Sequence, residues 1–186
     1  TSRLPALKAV LQTWGSLNTV ITNFPGEKWG AWFPGTFDRV LLDAPCSMES
    51  LRVSPSHPHR SITPDERSRL AARQLALLES AVAATHIGGE IVYSTCTLAP
   101  EEDEAVLDAF LKAHPGVIQV ETSPSRQLNA PGLTFFNGKA FDPQVAGSLR
   151  FWPHLYGTNG FFAALITKIG AMPSIEVKQP TREFAN

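Results

Sequence analysis

Two short apolar runs that each end in a tight turn and a cysteine restrict this chain more than any other feature. Phe37-Asp38-Arg39-Val40-Leu41-Leu42 leads into Asp43-Ala44-Pro45-Cys46-Ser47, and Glu90-Ile91-Val92 leads into Tyr93-Ser94-Thr95-Cys96-Thr97. A helical pattern follows each turn. Short strands alternating with helices predict a parallel sheet with crossover helices, hence an α/β fold. In open α/β sheets ligands sit beyond the carboxyl ends of the strands. Two thiols and a carboxylate therefore fall where chemistry is expected.

The remaining elements follow from periodicity and punctuation. Leu4, Leu7, Val10 and Leu11 predict a helix that stops at Gly15, and the β-branched run Thr19 to Thr22 predicts a strand over Asn18–Thr22. Residues 23–36 carry Pro25, Gly26, Gly30, Pro34 and Gly35 and read as a loop. The Phe37–Leu42 run is apolar enough for a strand buried on both faces. Thr63, Pro64 and Glu66 spell a helix start with a capping box, and Gly88-Gly89 reads as the stop of that helix. Glu90 to Thr95 is a third strand. A further helix begins at Pro100, with Glu101 to Glu104 set against its N-terminal dipole. Val117 to Val120 and Gly160 to Lys168 are the last strands, suited to antiparallel pairing at one edge. The stretch between them reads as irregular, with Gly157 and Gly160 serving a hairpin turn. Residues 1–168 are expected to form one domain, and 169–186 a loosely held tail.

A chain of 186 residues with 43% hydrophobic content is long enough to bury a core. A formal net charge of −1 excludes a globally basic nucleic-acid binder, so any such surface is local. Arg52, His57, His59, Arg60, Arg67, Arg69 and Arg73 offer one. Two cysteines make no disulfide framework, and no apolar run approaches the roughly 18 residues of a membrane span. Free thiols in a reducing cytoplasm are expected. His57-x-His59 lacks the paired spacing of a structural zinc site, so no metal is expected. The start on Thr1-Ser2-Arg3, already in a helical pattern and without methionine, reads as an excerpt from a longer protein.

A thiolate is a strong nucleophile, and C6 of a pyrimidine is one electrophile suited to it. Addition there makes C5 electron-rich enough to attack a methyl sulfonium, with an acid needed at N3. The C5 proton then leaves and the thiol is eliminated, a step a second thiol can assist. Asp43, Cys46 and Cys96 fit these jobs by type, and spacing alone does not assign the roles.

The chain resembles the catalytic domain of the Sun-type (Nol/Nop/Sun) RNA cytosine-5 methyltransferases. Phe37 to Ser47 resembles the family's fourth motif, Gly88 to Thr97 its sixth, and Glu101 to Glu104 its acidic helix start. Arg150, Pro153-His154 and Gly157 to Phe162 resemble its closing segment, and the likeness runs from Arg3 to Lys168. The resemblance implies a Rossmann-like class I fold using S-adenosylmethionine on RNA, with ribosomal RNA preferred and transfer RNA second. It makes Cys96 the attacking thiolate and Cys46 the residue that helps release product. Asp43 then contacts the cytosine at N3, and Pro45 shapes the base pocket. Asp43, Ala44, Pro45 and Asn23 are implied to face the cofactor, and Arg52 and Arg60 the RNA. The target base is expected unstacked or flipped.

Three departures from the family pattern stand out. The glycine-rich cofactor loop is absent, as are the first two strands, so a preceding region or a partner chain is expected to complete the fold. Asn23 stands near Pro25 where the family often has an aspartate, and Met48-Glu49-Ser50 replaces the usual Gly-x-Gly. The fragment alone is therefore expected to be inactive. A non-catalytic RNA-binding or assembly module is the alternative reading, and a thiol hydrolase using Cys96 a third.

Overall fold

The computed structural model describes residues 3–55, 60–122 and 130–173. Strand β1 (Phe37–Asp43) runs parallel to β2 (Thr85–Thr95), and the helix α3 (Pro64–Ala84) connects them. β2 is followed by α4 (Glu104–Ala113) and the short β3 (Ile118–Val120). The last strand, β7 (Phe161–Lys168), inserts antiparallel between β2 and β3, giving the order β1-β2-β7-β3. β6 (Leu149–Phe151) pairs with the first half of β7. The small elements are α1 (Arg3–Thr13), α2 (Trp29–Trp32), the hairpin β4 (Phe135–Phe136) with β5 (Lys139–Ala140), and α5 (Pro153–Tyr156).

Side-chain alternation explains the layers. Along β7, Phe162, Ala164, Ile166 and Lys168 are buried while their neighbours are half-exposed, the period of two that a strand imposes. Phe162, Ala164 and Ile166 pack in one cluster with Ile91 and Tyr93 of β2, Leu78 and Val82 of α3, and Leu107 and Phe110 of α4. α3 starts where its sequence says: Pro64 is its first residue, and Thr63 Oγ1 accepts the Glu66 amide at 3.2 Å.

Several sequence expectations are corrected. The helix ends at Ala84, not at Gly88-Gly89, which lie inside β2. A Cβ on Gly89 would meet the Asp38 carbonyl oxygen at 2.7 Å, so this glycine allows β1 to approach, and the β1–β2 register slips between Phe37 and Arg39. Asn18–Thr22 forms no strand; Val20 is 81% exposed. β-Branched residues favour strands only where a neighbouring strand supplies a ladder. β1 is an edge strand and not buried on both faces, with Leu41 74% exposed. The stretch before β7 is more ordered than it reads, holding β4 to β6 and α5. Gly157, at φ +65°, terminates α5 instead of turning a hairpin. Gly160 lies against Ser50 and Leu98, and its amide donates to the Ser50 carbonyl at 3.1 Å. Of residues 169–186, the structure describes 169–173; the amides of Ile169 and Gly170 both bond the Val117 carbonyl, and Met172 packs on the core.

Candidate active site

The two cysteine turns meet at the carboxyl ends of β1 and β2. Parallel pairing sets Asp43 opposite Ser94, and the Ala44 amide continues the ladder to the Ser94 carbonyl at 2.9 Å. Both chains then turn outward together. Cys46 Sγ lies 3.2 Å from Cys96 Sγ, and the next residues repeat the contact, with Ser47 Oγ donating to Thr97 Oγ1 at 3.1 Å. Both thiols are free and half-buried.

This contact separates the sulfurs electrically. The hydrogen bond from Cys46 lowers the Cys96 thiol to about 7 against burial and the nearby Asp43 charge, which push it up. The same bond, with burial, drives Cys46 far upward, although the Met48 amide faces its sulfur. Near neutral pH Cys96 is thus substantially thiolate and Cys46 keeps its proton. An S–H···S⁻ bond of this kind favours a sulfur both as nucleophile at neutral pH and as leaving group.

A buried polar network holds the first turn. Glu102, fully buried, accepts the Ser47 amide at 2.8 Å and Gln74 Nε2 at 3.1 Å on one oxygen, and Arg67 at 2.9 Å on the other. Gln74 Nε2 also donates to the Pro45 carbonyl at 2.9 Å, and the Tyr93 hydroxyl to the Glu102 carbonyl at 2.6 Å. The acids after Cys96 are therefore not a solvated dipole cap: Glu102, Asp103 and Glu104 are all buried, and α4 begins only at Glu104.

A model of the family described as 16S rRNA methyltransferase RsmB/F matches residues 1–167. The chain belongs to this family. It is 36% identical over 172 residues to ribosomal RNA small subunit methyltransferase F of Erwinia tasmaniensis, covering 92% of this chain and 34% of that protein. It is 34% identical to 25S rRNA (cytosine-C(5))-methyltransferase nop2 of Schizosaccharomyces pombe, covering 100% of this chain and 31% of that one. The chain thus spans about a third of the length of these curated relatives. Among solved structures, a methyltransferase homolog from Pyrococcus horikoshii superposes with TM-score 0.76 at 30% identity, over 90% of this chain and 50% of that one. NSun6 from Pyrococcus horikoshii with SFG superposes at 0.72 and 26%, over 91% and 40%. The fold is that of the class I methyltransferases, here with the sheet from β1 onward.

Within this RsmB/F frame, Asp43, Ala44, Pro45, Cys46 and Cys96 come together. Asp43 is exposed at the end of the edge strand, Ala44 is buried, and Pro45 is half-buried. Met48 sits at φ +58°, the left-handed conformation that favours the glycine it replaces, so the turn is kept at some cost. Arg52 is tied to the closing segment: its amide donates to Asn159 Oδ1 at 3.1 Å and its Nη2 to the Gly157 carbonyl at 2.6 Å. Arg60 is exposed and pairs with Glu66 at 2.7 Å, away from the thiols along the chain toward α3. Asn23 lies exposed in the segment between α1 and α2. His57 and His59 lie outside the described residues.

Sequence reasoning placed Arg67 in a basic surface and Glu102 in an acidic helix start, did not single out Gln74, and missed the network the three form. A signal for them existed. Arg67 and Gln74 are seven apart, on one face of α3, and an acid run directly after a cysteine turn exceeds what a helix dipole needs.

Proposed function

We propose that this chain is the thiol-bearing part of an S-adenosylmethionine-dependent methyltransferase acting on C5 of a cytosine in RNA. Ribosomal RNA is the preferred substrate, following the names of its relatives, with transfer RNA second. The observation that carries the reading is the 3.2 Å pair of unlike thiols beside Asp43. A non-catalytic RNA module leaves that pair without a role.

Cys96, as thiolate, adds to C6 of a flipped cytosine while Asp43 contacts the base at N3. Charge gathers at C5, which takes the methyl group that the cofactor supplies as a sulfonium. A water molecule takes the C5 proton as the C5–H electron pair re-forms the C5–C6 double bond, and the C6–S bond breaks, returning Cys96 to thiolate. The Cys46 S–H bond makes that thiolate the better leaving group, which gives Cys46 its role in release. Asp43, Ala44 and Pro45 supply one wall for the cofactor, and Asn23 a hydrogen-bonding group near its adenine end. These residues fit one side of such a site, since the 186 residues contain no glycine-rich cofactor loop. An upstream region or a partner chain supplies the other side by pairing along the outer edge of β1, which no strand among the described residues covers. Arg52 sits on the turn that follows Cys46 and, with Arg60, faces RNA. Two thiols this close stay reduced in the cytoplasm, where we place the protein.

The test uses the full-length protein. With Cys46→Ala, denaturing gels are expected to show a covalent RNA adduct that accumulates, and with Cys96→Ala none. An adduct in the second variant, or rapid clearance in the first, removes these roles.

A further inference from the structure

Residues 45, 47 and 49 all point to one anchor. Pro45 is held through Gln74, Ser47 directly, and Glu49 through Arg67, whose other nitrogen binds Glu102. The alternate residues face the other way: Cys46 meets Cys96, and Met48 is half-exposed. The anchor belongs to the opposite turn, because Glu102 follows Cys96 and is pinned by the Tyr93 hydroxyl of β2. A fully buried carboxylate is expensive unless every oxygen is well bonded, and three donors meet that need here. Hydrophobic packing alone would seat the turn without setting the sulfur within a few tenths of an ångström.

We propose that Glu102 is a positioning residue, whose carboxylate clamps the Pro45–Ser47 turn so that the Cys46 sulfur stays in contact with Cys96. The consequence for release rests on the role of Cys46 given above; the clamp itself does not. Loosening it lets Cys46 drift from Cys96 while Cys96 remains at the end of β2.

Full-length Glu102→Gln keeps the shape of the side chain but cannot accept from donors at both ends. Three readouts follow. Diamide closes a Cys46–Cys96 disulfide by taking both S–H hydrogens onto its N=N bond, and mass spectrometry counts the two lost hydrogens. In the folded variant closure is expected to slow about tenfold, equivalent to about 1.4 kcal/mol. Removing the Glu102 charge lowers Cys96 and losing the larger Cys46 hydrogen bond raises it, so the pH midpoint for iodoacetamide alkylation of Cys96 is expected to climb above about 7. RNA adduct is expected to accumulate as in Cys46→Ala. A folded variant with wild-type disulfide closure and an unmoved midpoint overturns the clamp. If Cys46→Ala clears RNA normally, the release role falls while disulfide closure still decides the clamp. Should Glu102→Gln not fold, Gln74→Met removes the Pro45 bond together with the Gln74–Glu102 bond and leaves the Ser47 and Arg67 bonds to Glu102 in place. A several-fold slowing there supports the clamp, and an unchanged rate overturns it.

Discussion

Glu102, Asp103 and Glu104 are consecutive, equally buried, and solved in different ways. Glu104 is neutralised by Arg150, itself 1% exposed, whose Nη1 lies 2.6 Å from both carboxylate oxygens; Arg150 also stacks on Trp152 at 4.7 Å. Asp103 has only the Thr95 hydroxyl at 2.6 Å, and its Oδ2 has no partner among the described residues. Burial therefore pushes Asp103 up to about 8, against the Thr95 bond. Between its ordinary value of 3.8 and about 8, the unfolded chain has released this proton and the folded chain still holds it. Its contribution is thus intact below about pH 4 and is lost as pH rises to about 8, with a limiting slope of about 1.4 kcal/mol per pH unit. Asp103→Asn removes the titration and keeps an acceptor for Thr95. Urea unfolding across that window is expected to show the variant gaining on wild type as pH rises; parallel curves would refute an elevated Asp103.

The packing of α2 on α3 depends on a hydroxyl and a missing side chain. Ser80 of α3 accepts the Gly30 amide at 2.9 Å and donates to the Gly26 carbonyl at 2.7 Å. A Cβ on Gly30 would lie 2.6 Å from the Ser80 carbonyl oxygen and 2.7 Å from Ala83 Cβ. Both obstacles are backbone or its first carbon, so no rotamer change relieves them. Gly30→Ala is expected to lift α2 off α3 and cost about 1–3 kcal/mol in denaturant unfolding. A variant as stable as wild type would mean that this contact is adjustable. The aromatic cluster of Trp29, Phe33 and Phe37, with ring centroids 5.1 to 6.3 Å apart, joins α2 to the start of β1.

The whole sheet has one unfinished side. Among the described residues no strand pairs with the outer edge of β1, and a cavity of about 320 Å³ beside it is walled by Trp29, Phe37, Leu42, Leu77 and Ala84. An exposed edge next to apolar surface recruits other chains. The 186-residue chain by itself is expected to self-associate at micromolar concentration, and Leu41→Lys to shift it toward monomer in sedimentation velocity. A chain that is monomeric without the substitution contradicts this account of the edge.

The cysteine turns were readable because contiguous residues spell them: an apolar run, a small-residue turn and a thiol all lie within one strand end. The start of α3 was readable for the same reason, since Thr63, Pro64 and Glu66 cap their own helix. What sequence could not supply were partners distant along the chain. The Glu102–Ser47 bond joins residues 55 apart, and the identity of Gly89 answers to a carbonyl on β1. The Thr19 to Thr22 run has strand chemistry but no ladder, so it stays coil, and Leu41 has core chemistry but lies on an edge. Local conformational preference and reactive-group identity are written residue by residue. Whether a carboxylate is solvated or clamped, and whether a strand is inner or outer, depends on which surfaces meet after the chain has closed on itself.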